Sequence, residues 1–264
     1  MRKIACVVGV LVFGVAFVNA QDRFSLLADG QLATSAASRM FGSEWQSAVL
    51  PDDYRMKGTI TFFAGGVPRS PRFEVEVVRI GKVRFERIIR QDAGVVREGT
   101  DGVHLWHSFE PVQGGVFEAE AQGASLSFVQ SFTGHAVDQF VFDLAHGTRF
   151  LIDASREDDG KRVVETADPV HGRARYYLDE AATVVGMEFD SVAQTSAVGG
   201  GPISAVDKFV FADHQMVNGR LTPFRIERFV NGKKIEEMHF DSVSYNVGLA
   251  EDVVRPPLRR DLVR

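Results

Sequence analysis

The chain has 264 residues, 45% of them hydrophobic and 25% charged, with 30 Lys and Arg against 35 Asp and Glu for a net charge of −5. The charges alternate along the chain rather than forming basic blocks, which excludes the concentrated positive surface that nucleic-acid binding needs. The single cysteine, Cys6, excludes an intramolecular disulfide and a thiolate metal cluster.

Arg2 and Lys3 form a short basic start, residues 4–18 carry no charge, and Val18-Asn19-Ala20 places small or modest residues where a signal peptidase cuts. This pattern predicts a secretory signal peptide cleaved after Ala20. A membrane-spanning helix needs about 20 apolar residues, and no segment reaches that. The expected mature chain, 21–264, has 244 residues (264 − 20) and no thiol. Its charge is −7, because the first twenty residues remove two basic and no acidic groups (28 against 35). That length suits one large β-sheet domain whose core suffices without staples. Nineteen of the 21 phenylalanines lie in it, since only Phe13 and Phe17 fall in the signal.

Residues 24–50 read as helical with breaks. Leu26, Leu27, Leu32, Ala33, Ala36, Met40 and Phe41 recur at intervals of three and four, the period of one helix face. Gly30 and Gly42 weaken that helix, and Pro51 is expected to end it. The period then changes to two. Met56, Gly58, Ile60 and Phe62 alternate with Lys57, Thr59 and Thr61, Phe73, Val75 and Val77 with Glu74 and Glu76, and Val83 and Phe85 with Arg84 and Glu86. These are half-buried antiparallel strands. Gly81 and Asp92-Ala93-Gly94 supply turns. Further strands are expected at 95–100 and 103–109.

The alternation lapses over 122–145. Leu126, Val129, Phe132, Val137, Phe140, Val141 and Leu144 fit one or two short helices broken at Gly134. Strand patterns return at 148–154, 161–167, 172–178 and 184–192. Residues 196–202, with Gly199-Gly200-Gly201, read as a loop; no GK[ST] follows, so a phosphate cradle is not indicated. Three long strands close the chain near 205–212, 219–230 and 233–245. The last two are joined by Asn231-Gly232, a strong two-residue hairpin signal. The sum is one β-rich domain, 21–264, of about ten or eleven strands.

Catalytic motifs do not emerge. No GxSxG, HExxH or P-loop is present. His104 and His107 resemble a ligand pair, but residues three apart on a strand point to opposite faces. Asp158-Asp159-Gly160 is better explained as a hairpin turn than as a calcium loop. The expectation is a protein that is not an enzyme and uses no metal or cofactor.

Phe62, Phe73, Phe85, Trp106, Phe211, Phe224 and Phe240 define an apolar face that either packs as a core or lines a ligand cavity. Periodicity alone leaves both open. The candidate lining, chosen from the apolar side of each alternation, is Ile60 and Phe62, Phe73 and Val75, Phe85, and Phe224 and Ile226.

Four short stretches carry a family resemblance. They are Met56-Lys57-Gly58-Thr59-Ile60; Asp101-Gly102-Val103-His104-Leu105-Trp106 with Glu110-Pro111 following; Arg175-Tyr176-Tyr177-Leu178-Asp179; and a closing series. That series runs Val217-Asn218-Gly219-Arg220-Leu221-Thr222-Pro223-Phe224-Arg225-Ile226, then Val243-Ser244-Tyr245-Asn246 and Pro256. In this order they resemble the LolA/LolB-like superfamily of periplasmic lipoprotein carriers, over about residues 50–257. The resemblance implies an unclosed antiparallel barrel with helices on its concave side, around a hydrophobic cavity that holds acyl chains without covalent chemistry. Dedicated carriers also place an arginine close after the first strand. Arg69 and Arg72 are nearby, but the Ala64-Gly65-Gly66-Val67-Pro68 loop leaves the register open.

Two functions follow as expectations. One is a monomeric periplasmic carrier for a lipid or an acylated lipoprotein. The other is an envelope sensor or scaffold using the same half-barrel to bind a protein partner, since fold alone does not decide function. A hydrolase would need a nucleophile–base pair that no motif supplies.

Overall fold

The computed structural model describes residues 20–114, 117–120, 124–133, 136–146, 150–158, 160–168, 172–193 and 203–254. The expected signal segment with Cys6, the Gly199-Gly200-Gly201 loop and Pro256 lie outside the described residues. The chain begins with helix α1 (Ala20–Phe41) and a short 3-10 turn (Trp45–Ser47). Seven strands follow: β1 (Asp53–Ala64), β2 (Val67–Pro68), β3 (Phe73–Ile80), β4 (Arg84–Gln91), β5 (Gly94–Thr100), β6 (Leu105–Pro111) and β7 (Phe117–Glu120). Two helices, α2 (Ala124–Thr133) and α3 (Val137–Ala145), come next. Seven more strands complete the fold: β8 (Phe150–Asp158), β9 (Lys161–Asp168), β10 (Gly172–Leu178), β11 (Val184–Ala193), β12 (Ile203–Val217), β13 (Arg220–Val230) and β14 (Lys233–Tyr245).

The chain enters its sheet in the middle. From β1 it meanders through β3, β4, β5 and β6 to one edge at β7; α2 and α3 then carry it to the opposite edge at β8; and β8 to β14 meander back until β14 pairs with β1. Every pairing is antiparallel. Because β7 and β8 do not pair, the sheet is an unclosed barrel. Helix α2 touches β4 and β5 on one side and β11 on the other, and α1 packs on α3 and β13, so the helices fill the concave side between the two halves.

Among the described residues there are fourteen strands, two of them very short, against the ten or eleven expected from the sequence. Strands β2 and β7, of two and four residues, are too short to leave a readable alternation. The helical start is also corrected. α1 runs unbroken through Gly30, and Gly42 rather than Pro51 ends it: Gly42 is at φ +83 and donates its N–H to the Ser38 carbonyl.

The inner face reads as expected from the alternation. Met56 and Ile60 on β1, Val75 and Val77 on β3, Phe85 and Ile89 on β4, Phe209 and Phe211 on β12 and Met238 and Phe240 on β14 share one core with Phe128, Val129, Phe140 and Val141 of α2 and α3. Gly58 marks a β-bulge where the β1–β14 register shifts. A Cβ there would stand 1.9 Å from the His239 carbonyl oxygen, so only glycine permits this approach. Trp106 belongs to the other face. It packs with Val78 and Val254 in a small outer cluster beneath the C-terminal segment, which places it outside the apolar set that its alternation predicts.

The remaining family-like stretches are turn chemistry. Asp101 accepts the N–H groups of Val103 and His104, and Asp179 accepts those of Ala181 and Thr183. Asn246, at φ +54, accepts the Asp52 N–H, while the buried Asp53 carboxylate accepts those of Val247 and Leu249, tying the segment after β14 to the start of β1.

Candidate functional site

An apolar cavity of about 90 Å³ opens between the helices and the sheet. Met40 and Phe41 of α1, Tyr54 and Met56 of β1, Phe132 of α2, and Ala136 and Val137 beside and on α3 form one side. Met187 of β11, Phe209 and Phe211 of β12, Leu221 and Ile226 of β13 and Tyr245 of β14 form the other. Three of these are methionines, whose unbranched side chains let a wall change shape at low cost. A larger hollow, about 500 Å³, lies between α1 and the turns after β8 and β10, but Gln31, Ser35, Arg162, Asp179 and Glu180 make it polar.

Polar groups gather at one end of the apolar cavity. Asp138 is paired with the buried Arg79 at 3.0 Å, and Arg79 lies over the Tyr54 ring at 5.6 Å. Tyr54 and Tyr245 meet edge to face at 6.1 Å. The Tyr245 hydroxyl shares a 2.8 Å hydrogen bond with Thr222 Oγ1, and burial pushes it up to about 12. Arg220 lies over the rings of Phe41 and Tyr245, at 5.2 and 5.8 Å, and donates one hydrogen bond to the Val49 carbonyl. Its Nη1 is buried and has no hydrogen-bond partner among the described residues. A buried donor left unmade costs about 1–3 kcal/mol, so this nitrogen is a place where a ligand acceptor gains.

The opposite end of the interior is ionic. Glu98 of β5 accepts from Arg87 of β4 at 2.9 Å, and Arg87 donates to Glu236 of β14 at 3.0 Å. Glu236 also faces Arg228 of β13 at 3.5 Å, and Arg228 donates to Asp207 of β12 at 2.7 Å. Ser191 of β11 donates to Asp207 at 2.5 Å. Burial alone would lower the Arg87 guanidinium, but Glu236 and Glu98 outweigh it and hold it above its ordinary range. The Phe128 ring stacks on Arg87 at 3.4 Å. Arg228 and Asp207 stand two residues beyond Ile226 and Phe209 on their strands, so the apolar cavity ends where this network begins.

Of the seven residues proposed from the sequence as lining, Ile226 borders the cavity. Ile60, Val75 and Phe85 are fully buried in the core, with Phe85 stacked 4.9 Å from Phe132. Phe62 and Phe73 pack 6.4 Å apart, half-buried, where β1 pairs with β14 near Glu236. Phe224 is half-buried against the core, opposite the irregularity at Asp213 in β12. The arginine at the cavity is Arg220. Arg69 and Arg72 are both exposed in the connection between β1 and β3, away from the lining. His104 is held by Asp101 at 3.1 Å and His107 faces Glu98 at 3.2 Å. Among the described residues no cluster of three His, Cys, Asp or Glu could hold a metal, and no helix is long and apolar enough to cross a membrane.

No protein-family model and no curated protein matches the sequence. Solved structures do resemble the fold. A DUF1329 family protein from Desulfovibrio piger aligns with a TM-score of 0.51 at 11% identity, over 88% of this chain and 97% of its own. A putative outer membrane lipoprotein-sorting protein domain from Vibrio parahaemolyticus aligns at 0.48 and 10% identity, over 84% and 94%. A LolA superfamily protein from Nitrosomonas europaea aligns at 0.49 and 14% identity, over 86% and 97%. At such identities the likeness is one of fold. The unclosed antiparallel sheet with helices on its concave side is the architecture that the LolA/LolB-like resemblance implied.

Proposed function

We propose that this protein is a non-catalytic, periplasmic carrier or binding protein for a hydrophobic ligand, an acyl chain of a lipid or lipoprotein, held in the cavity between α1, α2–α3 and β1, β11–β14. The observation that carries this is the cavity itself: an apolar space between the helices and the sheet, walled by three methionines and by phenylalanines, where a filled core would be the default. Burying an acyl chain there yields about 0.8 kcal/mol per methylene.

A space of about 90 Å³ accommodates only a short apolar group, so a longer chain requires the walls to part. The place where they can is the break between β7 and β8. Among the described residues no ladder of hydrogen bonds joins those edges, and α2 and α3, which carry the chain from one edge to the other, pack on the interior through side chains. The Arg79–Asp138 pair, which links β3 to α3, is among the contacts that such a movement would loosen. The test is native mass spectrometry of the protein purified from a bacterial periplasm. A bound lipid of defined mass supports the carrier, and repeated recovery of the bare chain, with no uptake of added lipid, opposes it.

A further inference from the structure

Resting on that reading of the cavity, we propose that its ligand is a single-chain amphiphile with an anionic head, carboxylate or phosphate, bound with the head at Arg220. Two features of the cavity point the same way. Arg220 lines the apolar space, and its Nη1 is buried with no acceptor among the described residues. The other charges bordering the cavity do not supply one. Asp138 is occupied by Arg79 at 3.0 Å, and Arg220 makes no ion pair among the described residues. The cavity end therefore carries one guanidinium whose charge is not matched, placed between the Phe41 and Tyr245 rings.

A guanidinium in that setting selects its ligand. A neutral head such as an alcohol would give Nη1 one weak acceptor. An anion would give it a charge-assisted hydrogen bond, the stronger kind. The Tyr245 and Thr222 hydroxyls stand at the same end, 2.8 Å apart, and while one donates to the other the second can turn its proton toward an anionic oxygen. The chain would then run inward among Met56, Phe132, Met187 and Phe211 and stop at the charged side chains of the ionic network.

The experiment is a calorimetric titration of the intact protein at pH 8 with dodecanoic acid, dodecyl phosphate and dodecanol. Either anion is expected to bind at least about tenfold more tightly than dodecanol. The tighter of the two identifies carboxylate or phosphate as the head. Arg220→Gln should remove that preference while dodecanol affinity stays within about twofold, and Arg220→Lys should retain most of it. Equal wild-type affinity for the anions and the alcohol would overturn the head-group assignment and leave the acyl-chain site standing. The assignment also fails if Arg220→Gln weakens all three ligands alike, because Arg220 would then only anchor the Val49 segment. Absence of binding by all three would overturn the acyl-chain site, and the assignment with it.

Discussion

Arg87 and Glu236 meet at 3.0 Å although β3 and β1 lie between their strands in the sheet. Three strand spacings amount to about 14 Å along a flat sheet. The contact therefore records how strongly the sheet curls, because only on the concave side of a tight curve do the two side chains converge. Glu236 also faces Arg228 at 3.5 Å, so one carboxylate links the two halves of the half-barrel.

Glu236→Ala is expected to destabilise the fold by about 3 kcal/mol, the lower part of the range for removing one partner of a buried ion pair. The lower part applies because Arg87 keeps Glu98 and Arg228 keeps Asp207. Urea unfolding of the variant measures this. A loss below about 1 kcal/mol would mean that the network is more hydrated than its burial indicates.

Gly99 lies under Trp106. A Cβ on residue 99 would stand 2.4 Å from the Phe85 carbonyl oxygen and 2.6 Å from Trp106 Cζ2. Gly99→Ala is therefore expected to cost about 1–3 kcal/mol through overpacking and to shift the tryptophan emission as Trp106 is pushed from its outer cluster. Unchanged emission and melting would show that both the Trp106 ring and the β4–β5 backbone have room to yield.

Glu86 lies buried on the outer face, with one carboxylate oxygen lacking a hydrogen-bond partner among the described residues and the other 3.1 Å from Arg97. Burial pushes its carboxyl above the ordinary 4.5, and Arg97 only partly offsets this. As pH rises from 4.5 toward the raised value, the unfolded chain gives up this proton while the folded chain keeps it. The folded state then binds more protons, and stability falls with rising pH over that window. Glu86→Gln should lose that fall, seen as a melting temperature that gains on the wild type between pH 4.5 and neutrality. Parallel curves for the two proteins would contradict it.

Phe85 separates core from cavity. It is fully buried, stacks on Phe132, which lines the cavity, and packs at a tilt against Phe128. Phe85→Ala should therefore cost about 3–5 kcal/mol, as for an aromatic truncated in a packed core. Chemical denaturation checks it. A loss under about 1 kcal/mol would show that the ring lines open space.

Much of the sheet is legible because the alternation is clean and the turns carry their own chemistry. Asn231 and Gly232, at φ +49 and +75, form the two-residue turn that their sequence signals. Asn218 and Gly219 form a second one, at φ +48 and +78, which lengthens β12 to Val217, beyond the expected end at residue 212. The alternation hides this because Asp213, at φ +54, interrupts it. The core side of β1, β3 and β4 was likewise readable from period two. The cavity was not. It lies where α1, α2 and α3 meet β11 to β14, and which apolar residues border a void rather than fill one depends on the packing of distant segments. Arg220 stood in the closing stretch of the sequence, but nothing local distinguishes an arginine that starts a strand from one that borders a cavity.

The most direct test of an acyl-chain site is to fill it. Ala136 lines the cavity and is buried at the start of α3. Ala136→Leu would place three more carbons into the space without adding charge. Titration of a dansyl-labelled fatty acid into wild type and variant is expected to show saturable one-to-one binding by the wild type. The variant should bind at least about tenfold more weakly with an unchanged or higher melting temperature. Equal binding by the two proteins, with the variant folded, would place the acyl chain elsewhere and contradict the assignment of this cavity as the ligand site.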